Sequence, residues 1–271
     1  MYVLKFIKQD EFPVFLDKKA ISVIEYLLKK VLFSQPELLE GQKPSNIQMT
    51  KEFLEQWIVQ GMNLESIGAG NFPIDVYSPN DYGVDVKFVS AKVDENGQFK
   101  KDISNETSLA QNFANEGNDL DTLFSEERYD DVLTRWKALL TNKFQKAKNG
   151  LSLKRIYYFV FIRGGNSISL AICEVNTDLL NTMEVVRGND KSVFIKNYIE
   201  DRYGEVKVYK SKKRMELRFF PKNMYEDKLL HKWDFNDIFQ HKHQNLRDII
   251  DDETAFDEYI KNEFKRIFLN K

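Results

Sequence analysis

The stretch Pro73-Ile74-Asp75-Val76-Tyr77-Ser78-Pro79-Asn80-Asp81-Tyr82-Gly83-Val84-Asp85-Val86-Lys87 decides how this chain folds. Two runs of alternating apolar residues flank a turn made of Pro, Asn and Asp, the pattern of a β-hairpin over 73–78 and 83–91. Side chains alternate faces along a strand. Val84, Val86 and Phe88 therefore share one face and Asp85 and Lys87 the other. On the preceding run Ile74 and Val76 share a face, with Asp75 and Tyr77 opposite. A turn centred on Asn80 sets Asp75 across from Asp85, so the spacing predicts that Asp75, Asp85 and Lys87 meet at one spot.

Two carboxylates about 4 Å apart repel by roughly 4 kcal/mol at an effective dielectric near 20. Such a pair requires a compensating charge. A hard divalent cation supplies it, and Mg²⁺ is held by one or two carboxylates together with water and substrate phosphate. Asp75 and Asp85 are thus the expected metal ligands, with the backbone carbonyl of Val86 as a further one. Lys87 would face a scissile phosphate, orient the attacking water and stabilise charge on the transition state.

Outward from the hairpin, apolar spacing predicts a helix over 12–33, ended by Ser34-Gln35-Pro36, and another over 50–61 closed by Gly61. Residues 94–126 are polar and irregular, with a short helix expected near 106–114. The strongest helix falls at 127–149, with Val132, Trp136, Leu140 and Phe144 on one face and Asn149-Gly150 as its stop. A second hairpin, 155–163 with 167–175, turns at Gly164-Gly165-Asn166. Residues 191–203 are expected to be helical. A third hairpin joins 205–210 to 214–220, and 234–269 is helical in short pieces followed by 253–268. The expected fold is α/β (α+β), a mixed central β-sheet flanked by helices, in a single domain spanning 1–271.

The hairpin resembles the PD-(D/E)XK nuclease core of type II restriction endonucleases. Pro73-Ile74-Asp75 stands for the first half of that motif with one residue inserted, and Asp85-Val86-Lys87 for the second, with apolar flanks in Val84, Phe88 and Val89. The motif covers residues 73–90, and the order helix, hairpin, long helix, strands extends the likeness across a core at about 50–175. The resemblance implies Mg²⁺-dependent cleavage of double-stranded DNA, with Asp75 and Asp85 as ligands and Lys87 as the catalytic lysine. Members of this superfamily also place a glutamate near the metals. Glu65, which immediately precedes the hairpin, is the first choice here and Glu55 the second. The alternatives are a repair or mobile-element nuclease with the same core, or a non-catalytic nucleic-acid-binding protein in which the acids are structural.

An acid-x-lysine triplet alone is weak. Asp17-Lys18-Lys19, Glu226-Asp227-Lys228 and Glu263-Phe264-Lys265 fall on expected helices or turns. Glu205-Val206-Lys207 begins a strand and is the competitor, but with 191–203 read as a helix no preceding paired strand brings it an acid.

The chain carries 40 basic and 42 acidic residues, a net charge of −2, so DNA must be met by a local patch rather than a global field. The third hairpin offers Lys207, Lys210, Lys212, Lys213 and Arg214, and residues 191–271 are expected to contact DNA or to dimerise. Arg163 and Asn166 flank the second hairpin's turn, where Arg suits guanine and Asn adenine. Gln111, in the segment after the motif strand, is expected to contact DNA, and Gln111 and Ser108 to approach the site from there. Palindromic sites favour two-fold symmetric proteins, so a homodimer is expected. One cysteine, Cys173, excludes an internal disulfide framework and fits a reducing cytoplasm. No signal peptide or membrane-spanning run is expected.

Overall fold

Strand β4 (Tyr82–Ser90) is the axis of the larger of two sheets in the computed structural model, which describes residues 1–43, 46–68, 72–100, 104–111, 120–238 and 243–269. Along one edge β4 pairs antiparallel with β3 (Val76–Ser78), which pairs with β2 (Glu65–Ser66). Along the other edge it runs parallel to β6 (Arg155–Gly164). Parallel neighbours need a long crossover, and here it contains the short helix α3 (Leu120–Ser125) and the long helix α4 (Tyr129–Leu151). A tight turn at Gly165 (φ +58°) returns β6 into the antiparallel β7 (Ser167–Val175). The far edge of β7 is shared by β1 (Leu4–Phe6) and β12 (His231–Asp234). The fold is therefore mixed α and β, as the periodicities predict.

Both faces of this sheet are covered, so β6 is an almost continuous apolar run rather than an alternating one. Tyr157, Phe159 and Phe161 pack with Val84 and Val86 against α1 (Lys18–Phe33) and α2 (Lys51–Met62). Ile156, Tyr158, Val160 and Ile162 point the other way, toward Trp136, Leu140 and Phe144 of α4. That second core continues into a five-stranded antiparallel sheet of order β5 (Glu106–Gln111), β11 (Arg214–Phe219), β10 (Gly204–Tyr209), β9 (Ser192–Lys196) and β8 (Glu184–Gly188). Among the described residues no helix is long and apolar enough to cross a membrane.

Three expected elements differ. The first helix begins at Lys18, because the Asp17 carboxylate caps the Ala20 N–H at 2.8 Å and Pro13 lies in a separate 3₁₀ turn. Residues 106–111 are a strand, pinned to β11 from Glu106–Arg218 to Gln111–Arg214. Residues 192–196 are a strand too: Val193 and Ile195 are buried on one side and Phe194 lies on the other, a period of two that a short apolar run hides among charges. The weakness of Glu205-Val206-Lys207 consequently has a different cause. β10 does have a preceding paired strand, but β9 is Ser-Val-Phe-Ile-Lys and carries no acid, and the acid opposite Lys207, Glu216, lies on the following strand β11.

Candidate active site

The register of β3 on β4 is Val76 to Val84, Tyr77 to Gly83 and Ser78 to Tyr82, and Asp75 stands one residue beyond the Val76–Val84 pair. The turn residue Asn80 has φ +59°, a left-handed conformation that Asn tolerates well. Regular pairing stops at Val76. Asp75 N–H still donates to Val84 O at 2.9 Å, but the next β4 donor, Val86 N–H, is accepted at 2.7 Å by the Asp75 carboxylate itself. The strand edge is thus opened at Asp75, and a side chain replaces the backbone acceptor. This break also separates Ile74 from Val76, which were expected on one face. Ile74 packs on the α4 side of the sheet and Val76 on the α1–α2 side. A strand residue's N–H and C=O point to the same edge, so the Val86 carbonyl also faces the opening beside Asp75.

Asp85 and Lys87 lie on the α4 face of β4 and are 4% and 8% exposed. Their side chains meet at 2.6 Å between Lys87 Nζ and Asp85 Oδ1. The second carboxylate oxygen, Oδ2, accepts from Lys143 Nζ of α4 at 3.0 Å. Lys143 Nζ also donates to the Leu109 carbonyl of β5 at 2.9 Å, so β5 reaches the site through its backbone. Ser108 instead turns its hydroxyl to Ala110 O. The backbone of Gln111 closes β5; its side chain lies outside the described residues. Lys87 Nζ also lies 5.4 Å from the centre of the Tyr158 ring, whose hydroxyl meets that of Tyr198.

On the open side, Lys51 at the start of α2 places Nζ 3.1 Å from both Asp75 oxygens and 2.9 Å from Glu55 Oε1. Three carboxylates and three ammonium groups therefore form one cluster. Burial, together with the negative charge of Asp85, raises the Asp75 pKa. Burial also opposes ionisation of Asp85, yet Lys143 and Lys87 outweigh it and hold its carboxyl well below the usual carboxylate range. Burial is the largest influence on Lys87 and leaves its ammonium easier to deprotonate than a free lysine despite Asp85. For Lys51 burial is outweighed by Asp75 and Glu55, and its pKa is raised.

Glu65 stands apart from this cluster. It is exposed on β2 and accepts the Tyr77 hydroxyl at 2.6 Å, while Glu55 is the glutamate that shares a lysine with Asp75. Lys51 and Lys143 escaped the sequence reading, though both leave a trace in it. Lys143 falls three residues after Leu140 and four before Ala147, on the apolar stripe of its helix, where a charge needs a partner. Lys51 opens α2, where the helix dipole disfavours a cation.

The remaining candidates are largely occupied. Arg163 donates to Ser90 Oγ at 2.9 Å and to the Ile47 carbonyl at 2.8 Å, tying β6 to β4 and to the approach to α2. The Asn166 carbonyl accepts Phe235 N–H. Lys207 pairs with Glu205 at 2.6 Å, Lys210 with Asp121 at 3.8 Å, and Lys212 with both Glu106 and Glu216. Lys213 and Arg214 are exposed at the hairpin tip.

Among the described residues no three His, Cys, Asp or Glu side chains stand ready-made around one point for a metal. Mg²⁺ does not demand such a cage, since it keeps water and substrate oxygens in its shell. Asp75, Asp85, Glu55 and the Val86 carbonyl are all hard oxygen donors, which fits that ion. No family model matches this chain, and neither the curated proteins nor the solved structures contain a match to it.

Proposed function

We propose that this protein is a Mg²⁺-dependent DNA endonuclease, of the type II restriction class, cutting double-stranded DNA as a homodimer. The observation that carries this reading is the convergence of Asp75, Asp85 and Lys87 where β3 parts from β4. Asp75 and Asp85, with the Val86 carbonyl, would hold Mg²⁺, which supplies an activated water and neutralises charge on the phosphate. Lys87, held against Asp85, orients the attacking water at the phosphorus and donates to a phosphate oxygen as charge develops there. Burial around Lys87 strengthens that contact, because little solvent screens it. Lys143 fixes the other Asp85 oxygen and so keeps the carboxylate oriented. The exposed Lys213 and Arg214 are the first candidates to touch the DNA backbone.

A second reading draws on the same cluster. Each of Asp75 and Asp85 already carries a lysine, an arrangement that would also suit a non-catalytic nucleic-acid-binding protein. Incubation of supercoiled plasmid with purified protein and Mg²⁺ separates the two. Discrete fragments are expected, abolished by EDTA and lowered at least about a hundredfold by Lys87→Met, the scale of losing one transition-state donor. A smear would retain a nuclease but not a site-specific one. Intact plasmid, or full cleavage by Lys87→Met, removes the assignment.

A further inference from the structure

Lys51 occupies the position from which a cation would engage Asp75 and Glu55. Its ammonium lies 3.1 Å from both Asp75 oxygens and 2.9 Å from Glu55. The cluster is balanced as it stands: Asp75, Asp85 and Glu55 against Lys51, Lys87 and Lys143. A divalent ion added to that set would leave two uncompensated positive charges at close range. One ammonium must therefore move away, and the three lysines differ in their freedom to do so. Lys87 is walled in, with its side chain 10% exposed. Lys143 is 19% exposed and anchored to the Leu109 carbonyl as well as to Asp85. Lys51 is 38% exposed, opens onto solvent from the first turn of α2, and is held by carboxylates.

We propose that Lys51 is a built-in counter-cation of the carboxylate site, exchanged for the divalent ion when that ion binds. In the metal-free protein it keeps Asp75 and Glu55 together and sets a threshold that a dication must exceed. On binding it swings outward and frees the Asp75 oxygens. The proposal rests on the metal-nuclease reading above and adds a regulatory step to it.

Mn²⁺ binding without DNA tests this, followed by calorimetry and by the paramagnetic resonance signal of free Mn²⁺. Wild type, Lys51→Met, Lys51→Gln, Lys51→Arg and Asp75→Asn are compared, each checked for a native melting curve. Lys51→Met and Lys51→Gln are expected to bind Mn²⁺ roughly tenfold more tightly than wild type, the scale of removing one partly screened unit charge beside a dication. Lys51→Arg should stay within about twofold of wild type, since it keeps the charge. Asp75→Asn should lose binding. Equal or weaker binding by both neutral variants overturns the exchange while leaving the cation site intact. No binding by wild type or by either neutral variant overturns the cation site itself, and the nuclease reading with it.

Discussion

Asp85 receives one lysine on each carboxylate oxygen, and that asymmetry makes its two partners unequal. Removing Lys87 leaves Asp85 paired with Lys143; removing the Asp85 charge leaves two ammonium groups beside an amide, one of them buried. Breaking a buried pair from the side that strands a charge costs about 3–5 kcal/mol. Asp85→Asn is accordingly expected to destabilise by about 3 kcal/mol, at the lower end because Lys143 can reach solvent, whereas Lys87→Met stays within about 1 kcal/mol of wild type. Urea unfolding at neutral pH measures both. The pH dependence carries the same signature. The Asp85 pKa is lowered by folding, so its stabilisation is present above the ordinary carboxylate value of about 3.9 and is lost as pH falls through the lower folded value. The stability gap between wild type and Asp85→Asn should therefore narrow below about pH 4. Asp75 shifts the opposite way, partly because of Asp85, so the comparison is made with Asp75→Asn in both chains. A gap that stays constant between about pH 5 and 3 would show that Asp85 is not held by its lysines.

At the scale of elements, the hairpin depends on a glycine that alternation alone does not explain. A Cβ on Gly83 would lie 2.3 Å from Ile74 Cδ1 and 2.7 Å from Leu153 Cδ1. Gly83 thus lets Ile74 lie over β4 on the α4 side, next to the point where pairing ends before Asp75. Gly83→Ala must displace Ile74, with an expected cost of about 1–3 kcal/mol, and should weaken Mn²⁺ binding because Asp75 moves with its neighbour. Gly204→Ala is the control: its Cβ would strike the Arg218 carbonyl at 2.4 Å on the second sheet, a backbone atom that cannot turn aside, so it should destabilise at least as much without affecting Mn²⁺ binding. Calorimetric titration of the two variants decides it. The same elements show what the sequence made legible. The hairpins, α2 and α4, and the shared face of Asp85 and Lys87 on β4 follow from periods of 2 and 3.6 and from turn chemistry, whereas Asp75 is placed by a break in pairing that alternation does not predict. β5 and β12 do not, because their partners lie far along the chain and their own residues are short and mostly polar; β9 does not, because its three apolar residues are too short a run among charges to declare a period. The lysines at the acids were hidden for a related reason. Lys51 and Lys143 come from other elements, and only their misfit at a helix start and on an apolar stripe points to them.

Across the whole molecule, charge is distributed so that counting lysines misleads. The chain is net −2, and the third hairpin looked like a basic arm. In the folded protein most of its cations are paired: Lys207 with Glu205, Lys212 with Glu106 and Glu216, and Arg218 with Glu106 at 2.7 Å. The second sheet presents this mosaic on the face opposite Val193, Val206 and Leu217. A cation already paired with a carboxylate contributes little to counterion release, whereas each phosphate contact by a free one steepens the salt dependence by about 0.9 in log–log slope. Lys213 and Arg214, exposed and outside any ion pair among the described residues, should therefore carry what backbone affinity this hairpin has. Binding of a duplex oligonucleotide, measured with Ca²⁺ in place of Mg²⁺ across a series of NaCl concentrations, should lose about two units of slope per protomer in the Lys213→Ala, Arg214→Ala double variant. Lys207→Ala should change the slope by less than about half a unit, because it removes a charge that Glu205 already offsets. If Lys207→Ala flattens the slope as strongly as the double variant, the glutamates give up their lysines to DNA, and the sheet face rather than the hairpin tip meets the backbone.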